Sequence, residues 1–186
     1  MSRLARKPIM IPSGVTVNQE NDWWVFRGPK GELKQNLPNI ISITKTETEN
    51  GLMVKLSKSA SPKQKWPRAM LGTAAALVQN ALKGVAEGFE KKLELEGVGY
   101  KVQPDGKDLV LFLGFSHPVR FLAPEGITFS VEKNIITVRG IDKAKVGKAA
   151  AELRSQKPPE PYKGKGIHYI GEVIKRKAGK KATSSA

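Results

Sequence analysis

The chain has 186 residues and carries 32 Lys and Arg against 17 Asp and Glu, a formal charge of +15, with no cysteine. That length suits one domain or two small ones, and the charge points to a polyanionic partner, either nucleic acid or an acidic membrane face. The absent thiols exclude a disulfide framework, a thiolate zinc site and a cysteine nucleophile, and fit a reducing compartment.

At the N-terminus, Ile9-Met10-Ile11 before Pro12 is too short an apolar run for a signal peptide, so no cleaved leader is expected. Alternation of apolar and polar residues then predicts short half-buried strands at 15–17, 23–27, 41–46 and 52–56. Turns are expected at Asn21-Asp22, at Gly28-Pro29-Lys30-Gly31 and at Glu49-Asn50-Gly51, the Asn-Gly pair being the strongest hairpin signal. Ser61-Pro62-Lys63-Gln64 supplies an N-cap, a first-turn proline and a capping-box glutamine for an alanine-rich helix to about Leu82, with Pro67 blurring its start. On that helix Met70, Ala74, Leu77, Val78 and Ala81 share one face, which should pack on the sheet. Its apolar stretch is broken by Gly72, Gln79 and Asn80 and falls well short of the roughly 20 residues that span a bilayer, so a soluble protein is expected.

The second half repeats the order. Strands are predicted at 93–95, 98–102, 109–113, 119–122, 127–131 and 135–138, and Asp142 can cap a helix to about Arg154. Ala69-Met70-Leu71-Gly72-Thr73-Ala74-Ala75-Ala76 aligns with Ala144-Lys145-Val146-Gly147-Lys148-Ala149-Ala150-Ala151, and Phe26-Arg27-Gly28 with Phe112-Leu113-Gly114. The two correspondences in one order imply an α+β protein of two duplicated domains, each a small, mostly antiparallel sheet with one packed helix. The boundary is expected between 1–83 and 84–186, the second domain ending in a basic arm at 157–181. A helical glycine costs about 1 kcal/mol, so Gly72 and Gly147 suggest close backbone contact at those points.

Charge is uneven along the chain. Residues 1–83 hold 13 basic and 5 acidic side chains, residues 84–153 hold 10 of each, and residues 154–186 hold 9 basic and 2 acidic. A neutral body therefore ends in a strongly cationic segment, which solubility alone does not require. Within it, Pro158, Pro159 and Pro161 rule out a regular helix or the middle of a sheet, and Gly164 and Gly166 leave the backbone bare. Lys163 and Lys165 beside Gly164 can bring two ammonium groups and backbone N–H donors to a phosphate, while Tyr162 and Tyr169 offer faces for stacking on unpaired bases. Arg154, Lys157, His168, Lys175, Arg176 and Lys177 extend the candidate RNA-binding track. The turn Gly114-Phe115-Ser116-His117-Pro118 adds Ser116 and His117 as a hairpin tip touching RNA.

Rival chemistries find little support. Gly97-Val98-Gly99 begins like a dinucleotide fingerprint, but Val102 stands where the third glycine is needed and a strand follows instead of a helix. Ser116 and His117 are adjacent and lack a nearby carboxylate for a catalytic triad. His117 and His168 are too far apart to give a recognisable zinc spacing, and Glu94 and Glu96 fit a solvated strand face. Trp23, Trp24 and Trp66 are expected as core and domain-edge anchors. No catalytic residue, metal ligand, cofactor or small-molecule substrate is predicted, and the alanine-rich helices lack the basic face that membrane binding would use.

The run Pro159-Glu160-Pro161-Tyr162-Lys163-Gly164-Lys165-Gly166-Ile167 closely resembles the signature of the family of the sixth protein of the large ribosomal subunit, bacterial type. So do Gly97-Val98-Gly99-Tyr100, Leu113-Gly114-Phe115-Ser116-His117-Pro118-Val119, and Ser2-Arg3 with Lys7-Pro8-Ile9, Pro12 and Gly14. The similarity runs essentially end to end. It implies a non-catalytic, ribosome-bound cytoplasmic protein that contacts large-subunit ribosomal RNA and neighbouring ribosomal proteins, mainly through its second domain, near the factor-binding region, the sarcin-ricin loop and the stalk base. Tyr162, Lys163, Gly164, Lys165 and Gly166 are the positions to which the resemblance carries RNA contact. A free RNA chaperone or RNA-binding regulator would use the same arm and is the alternative reading.

Overall fold

The structure, a computed structural model, describes residues 9–37, 41–46, 51–56 and 65–179. They divide into two compact units, one running through Phe89 and taking in Ile141–Lys143, the other made of Glu90–Gly140 and the residues from Ala144 onward.

In the first unit the alternating segments become β2 (Thr16–Glu20) and β3 (Trp23–Gly28), preceded by β1 (Ile9–Met10) and followed by β4 (Gly31–Asn36), β5 (Ile41–Thr46), β6 (Gly51–Leu56) and α1 (Lys65–Ala86). Strands β2, β3 and β4 form an antiparallel meander, and β1, β6 and β5 form a second sheet in that order. The β5–β6 register pairs Thr46 with Gly51, so Gly51 is the first residue of β6, and Glu49 and Asn50 of the expected turn lie outside the described residues. The expected cap at 61–64 lies outside them as well. Pro67 is the third residue of α1. There its missing N–H breaks no helical bond, because the first-turn N–H groups have no intrahelical acceptor.

Helix α1 packs on β3, β4 and β6. Its face of Ala74, Val78 and Ala81 is buried with Val17, Phe26 and Leu37, and Met70 and Leu77 are partly buried against that cluster. Trp24 joins this core in part, whereas its neighbour Trp23 is 46% exposed. Adjacent strand residues point to opposite faces, so of these two tryptophans only Trp24 reaches the core. The side chain of Trp66 lies outside the description.

The second unit holds β7 (Phe89–Glu96), β8 (Lys101–Asp105), β9 (Asp108–Phe112), β10 (Val119–Phe121), β11 (Ile127–Glu132), β12 (Ile135–Gly140), α2 (Lys143–Gln156) and β13 (Gly166–Tyr169). A meander of β8, β9 and β10 answers that of β2, β3 and β4, and the order β7-β12-β11 answers β1-β6-β5. The duplicated α+β architecture is thus present, with the strands of each copy divided between two small sheets. β13 extends the second copy's sheet past β7 and has no counterpart among the described residues of the first.

Two expectations differ here. The strand predicted at 98–102 begins only at Lys101, because Gly97 to Tyr100 form a bend with Gly99 at φ 76° and Val98 85% exposed. Gly147 has open space where a side chain would stand, so its predicted close backbone contact is absent. The buried face of α2 is made instead by Val146, Ala149, Ala150 and Leu153.

Candidate nucleic-acid interface

The C-terminal segment is a closed loop ending in a strand, and only part of it is the irregular arm that its prolines and glycines suggest. β13 pairs antiparallel with β7, Ile167 opposite Leu95 and Tyr169 opposite Leu93, and occupies the edge of the sheet. An edge strand leaves every second N–H and C=O without a ladder partner, and such edges are normally blocked. Here the chain blocks its own edge: Ile167 N–H donates to the Lys157 carbonyl at 2.7 Å, and Glu160 N–H donates to the Lys165 carbonyl at 2.8 Å. Gly164 N–H donates to Glu160 C=O at 2.9 Å, and Lys177 N–H donates to Pro161 C=O at 2.9 Å, so the tail is tied back to the loop.

These bonds give the glycines a reason that the sequence concealed. A Cβ on Gly166, at φ 147°, would lie 2.6 Å from the Pro158 carbonyl oxygen, and one on Gly164, at φ 76°, would lie 3.1 Å from the Arg176 guanidinium. Gly166 therefore admits backbone of the same chain, whereas Gly164 is called for by its left-handed φ, since the tip of Arg176 can give way. The N–H of Gly164 is used within the loop, so it is not the free phosphate donor that was expected.

The loop sorts the candidate residues. Tyr162 is 54% exposed and Lys163 is exposed beside it, with Lys165 half-buried next in line. Lys175, Arg176 and Lys177 are exposed on the tail, and Lys180 and Lys181 lie outside the described residues. His168 is withdrawn: it is 8% exposed, its Nε2 lies 3.7 Å from Glu94 Oε2, and its Nδ1 is buried without a partner. Pairing of β13 with β7 fixes that side chain against the sheet, so it is not part of an open cationic surface. Tyr169 is half-buried with the Lys91 ammonium 5.8 Å from its ring centroid, so one face of the ring already carries a cation.

Arg154 is committed as well. Its Nη2 donates to Glu172 Oε1 at 2.6 Å and its Nε to Oε2 at 3.2 Å, while Tyr169 N–H donates to the same Oε2 at 3.0 Å. The Arg154 guanidinium, and after it the Tyr169 N–H, hold the Glu172 carboxyl below the usual range, and Arg154 is raised by the same pairing.

The turn and the loop, far apart in sequence, meet in space. Ser116 and His117 are exposed at the tip after β9, and Phe115 beside them is 47% exposed with Lys157 Nζ 4.6 Å from its ring centroid. Tyr100 lies against Gly97 and within 3.4 Å of where a Cβ on Gly114 would stand, so the 97–100 bend supports the same turn. Sequence reading passed over Phe115 and Glu172. An aromatic residue in a Gly-Phe-Ser-His-Pro turn, with no core to enter, was the available signal for the first; one of only two carboxylates in a cationic segment was the signal for the second.

The assembled surface offers ammonium and guanidinium groups beside exposed rings on a unit whose body is neutral, which suits phosphate neutralisation combined with stacking. Among the described residues, no three His, Asp or Glu side chains stand together as a metal site, and no helix is long and apolar enough to cross a membrane. Comparison with known proteins finds the description "Ribosomal protein L6" matching twice, over residues 11–88 and again over 96–170. The chain belongs to the ribosomal protein L6 family. The double match to ribosomal protein L6 agrees with the duplication seen in the strand order, and membership in this family carries a structural, non-enzymatic role. Similar relatives include large ribosomal subunit protein uL6 of a Nitratiruptor species, 50% identical over 182 residues that cover 98% of this chain and 99% of the relative. The protein of the same name from Syntrophomonas wolfei subsp. wolfei is 51% identical over 181 residues, 97% of this chain and 98% of the relative. That of Xanthomonas oryzae pv. oryzae is 49% identical over 183 residues, 98% of this chain and all of the relative.

Proposed function

We propose that this member of the ribosomal protein L6 family is a structural constituent of the large ribosomal subunit that binds large-subunit ribosomal RNA mainly through its second domain. The observation that carries the reading is the loop closed on β13, which presents Tyr162, Lys163 and Lys165 from a fixed frame on an otherwise neutral body. Lys157, Ser116 and His117 border the same interface, and Lys175, Arg176 and Lys177 extend it along the tail. The first domain, placed at 1–83 with the second at 84–186, braces RNA at a separate point with its more evenly spread charge. In this reading the protein lies near the factor-binding region, the sarcin-ricin loop and the stalk base, among other ribosomal proteins of the cytoplasm.

Binding follows from phosphate neutralisation plus shape, because the exposed rings stack on the face of any unpaired base and the cations act on any backbone of the right geometry. Changing Lys163 and Lys165 together to Glu tests it. The double variant should keep its circular dichroism spectrum yet fail to co-sediment with the large subunit in high-salt gradients; full incorporation would overturn the role given to the loop.

A further inference from the structure

We infer that Glu172 is a positioning residue for the RNA interface, and that Arg154 serves the same clasp in place of touching phosphate. The inference rests on the proposed RNA-binding role of the 157–177 segment. An acidic side chain in a cationic tail should weaken RNA binding if only net charge mattered, since it repels phosphate. Its contacts say what it does instead. The Glu172 carboxylate accepts the outward N–H of Tyr169 at the sheet edge and both donors of Arg154 from α2, while its own N–H donates to Tyr169 C=O at 3.0 Å. Glu172 thereby pairs with both edge groups of Tyr169, as a neighbouring strand would, and fastens that edge to the helix.

The clasp fixes where the tail leaves the sheet. A few residues on, Arg176 lies against Gly164 and Lys177 N–H reaches Pro161 C=O. Those contacts hold the loop that presents Tyr162, Lys163 and Lys165. With the clasp intact, the loop is ordered before RNA arrives, and the cost of ordering it on binding is removed. The Arg154 guanidinium, bound to a carboxylate through two of its nitrogens and half-buried, contributes little free charge to the surface.

The test measures binding of the full chain to an in-vitro transcript of bacterial large-subunit ribosomal RNA at several salt concentrations. Glu172→Gln, Arg154→Gln and Arg154→Lys should each weaken binding by about fivefold or more, the Glu172/Arg154 double variant should be no weaker than either single one, and the salt slope should stay unchanged. A phosphate contact by Arg154 predicts otherwise: Arg154→Lys retains affinity, Arg154→Gln lowers the slope by about one, and Glu172→Gln tightens binding. Any of these outcomes overturns the inference. Placing Glu172→Gln in a Lys163→Gln/Lys165→Gln background separates positioning from simple loss of stability. Acting through the loop, Glu172→Gln should have little further effect there; an undiminished loss would show that it acts elsewhere and overturn the inference. Equal binding by the wild type and the Lys163→Gln/Lys165→Gln variant would defeat the interface reading, whereas a clear difference between them with Glu172→Gln binding like wild type would defeat the positioning role alone.

Discussion

The ammonium of Lys157 stands 4.6 Å from the centroid of the Phe115 ring, joining the loop that leads into β13 to the turn that follows β9. An exposed pair of this kind is worth about 0.5–1 kcal/mol, enough to bias the two segments toward one arrangement but too little to hold the fold. Replacing Phe115 with Ala should therefore lower the unfolding midpoint only slightly. Its larger effect should be on RNA affinity, with a loss of about threefold or more in filter binding, because a base-sized face is removed next to the cations. Unchanged affinity would remove the turn from the interface.

Gly166 should be the least replaceable residue of the loop. Alanine there would place its Cβ 2.6 Å from the Pro158 carbonyl oxygen and 2.7 Å from Pro159 Cα, in a backbone conformation that side chains rarely adopt. Both obstacles are backbone, so no rotamer change relieves them. Gly166→Ala should destabilise the second unit by about 2–4 kcal/mol and expose the Ile167 amide to hydrogen exchange.

The opposite sign is expected at Gly147. It lies within α2 with open space around the position of a Cβ. Alanine should raise stability by about 0.5–1 kcal/mol through helix propensity and reduced freedom of the unfolded chain, measured by urea unfolding. A loss there would mean that the shared helix glycine has a packing role in the second copy after all.

Acid should release the Glu172 clasp. Its carboxyl is held low in the folded chain by Arg154 first and the Tyr169 N–H second, so the folded state binds fewer protons than the unfolded one. The stabilisation is then complete above the unfolded carboxyl value and is lost as pH falls through the folded one. For this partly buried, solvent-screened pair it should amount to about 1 kcal/mol, seen as a steeper loss of stability below about pH 5 in the wild type than in Glu172→Gln. Parallel profiles for the two proteins would refute it.

Much of the architecture was legible because it depends on local pattern. Strand alternation marked β2, β3 and β5, alanine-rich periodicity marked both helices, and the matching order of the two halves marked the duplication. β4 escaped because Gly31–Asn36 contains a single apolar residue, Leu33, and owes its strand character to pairing with β3. β1 escaped for the related reason that two residues, Ile9–Met10, form no period and become a strand only beside β6.

At the candidate site the division is sharper. Composition alone determined that a neutral body ends in a cationic segment, and the prolines alone determined that this segment is no helix. Only the tertiary structure decided which of its charges are free. Arg154 is taken by Glu172, His168 is buried by the pairing of β13 with β7, and Gly166 is required by the close approach of the Pro158 backbone, Gly164 by its φ of 76°. The physical reason is that a charge or a glycine can be read from one residue, whereas its availability depends on partners brought to it from α2, β7 and the tail, at separations along the chain that carry no periodic signal.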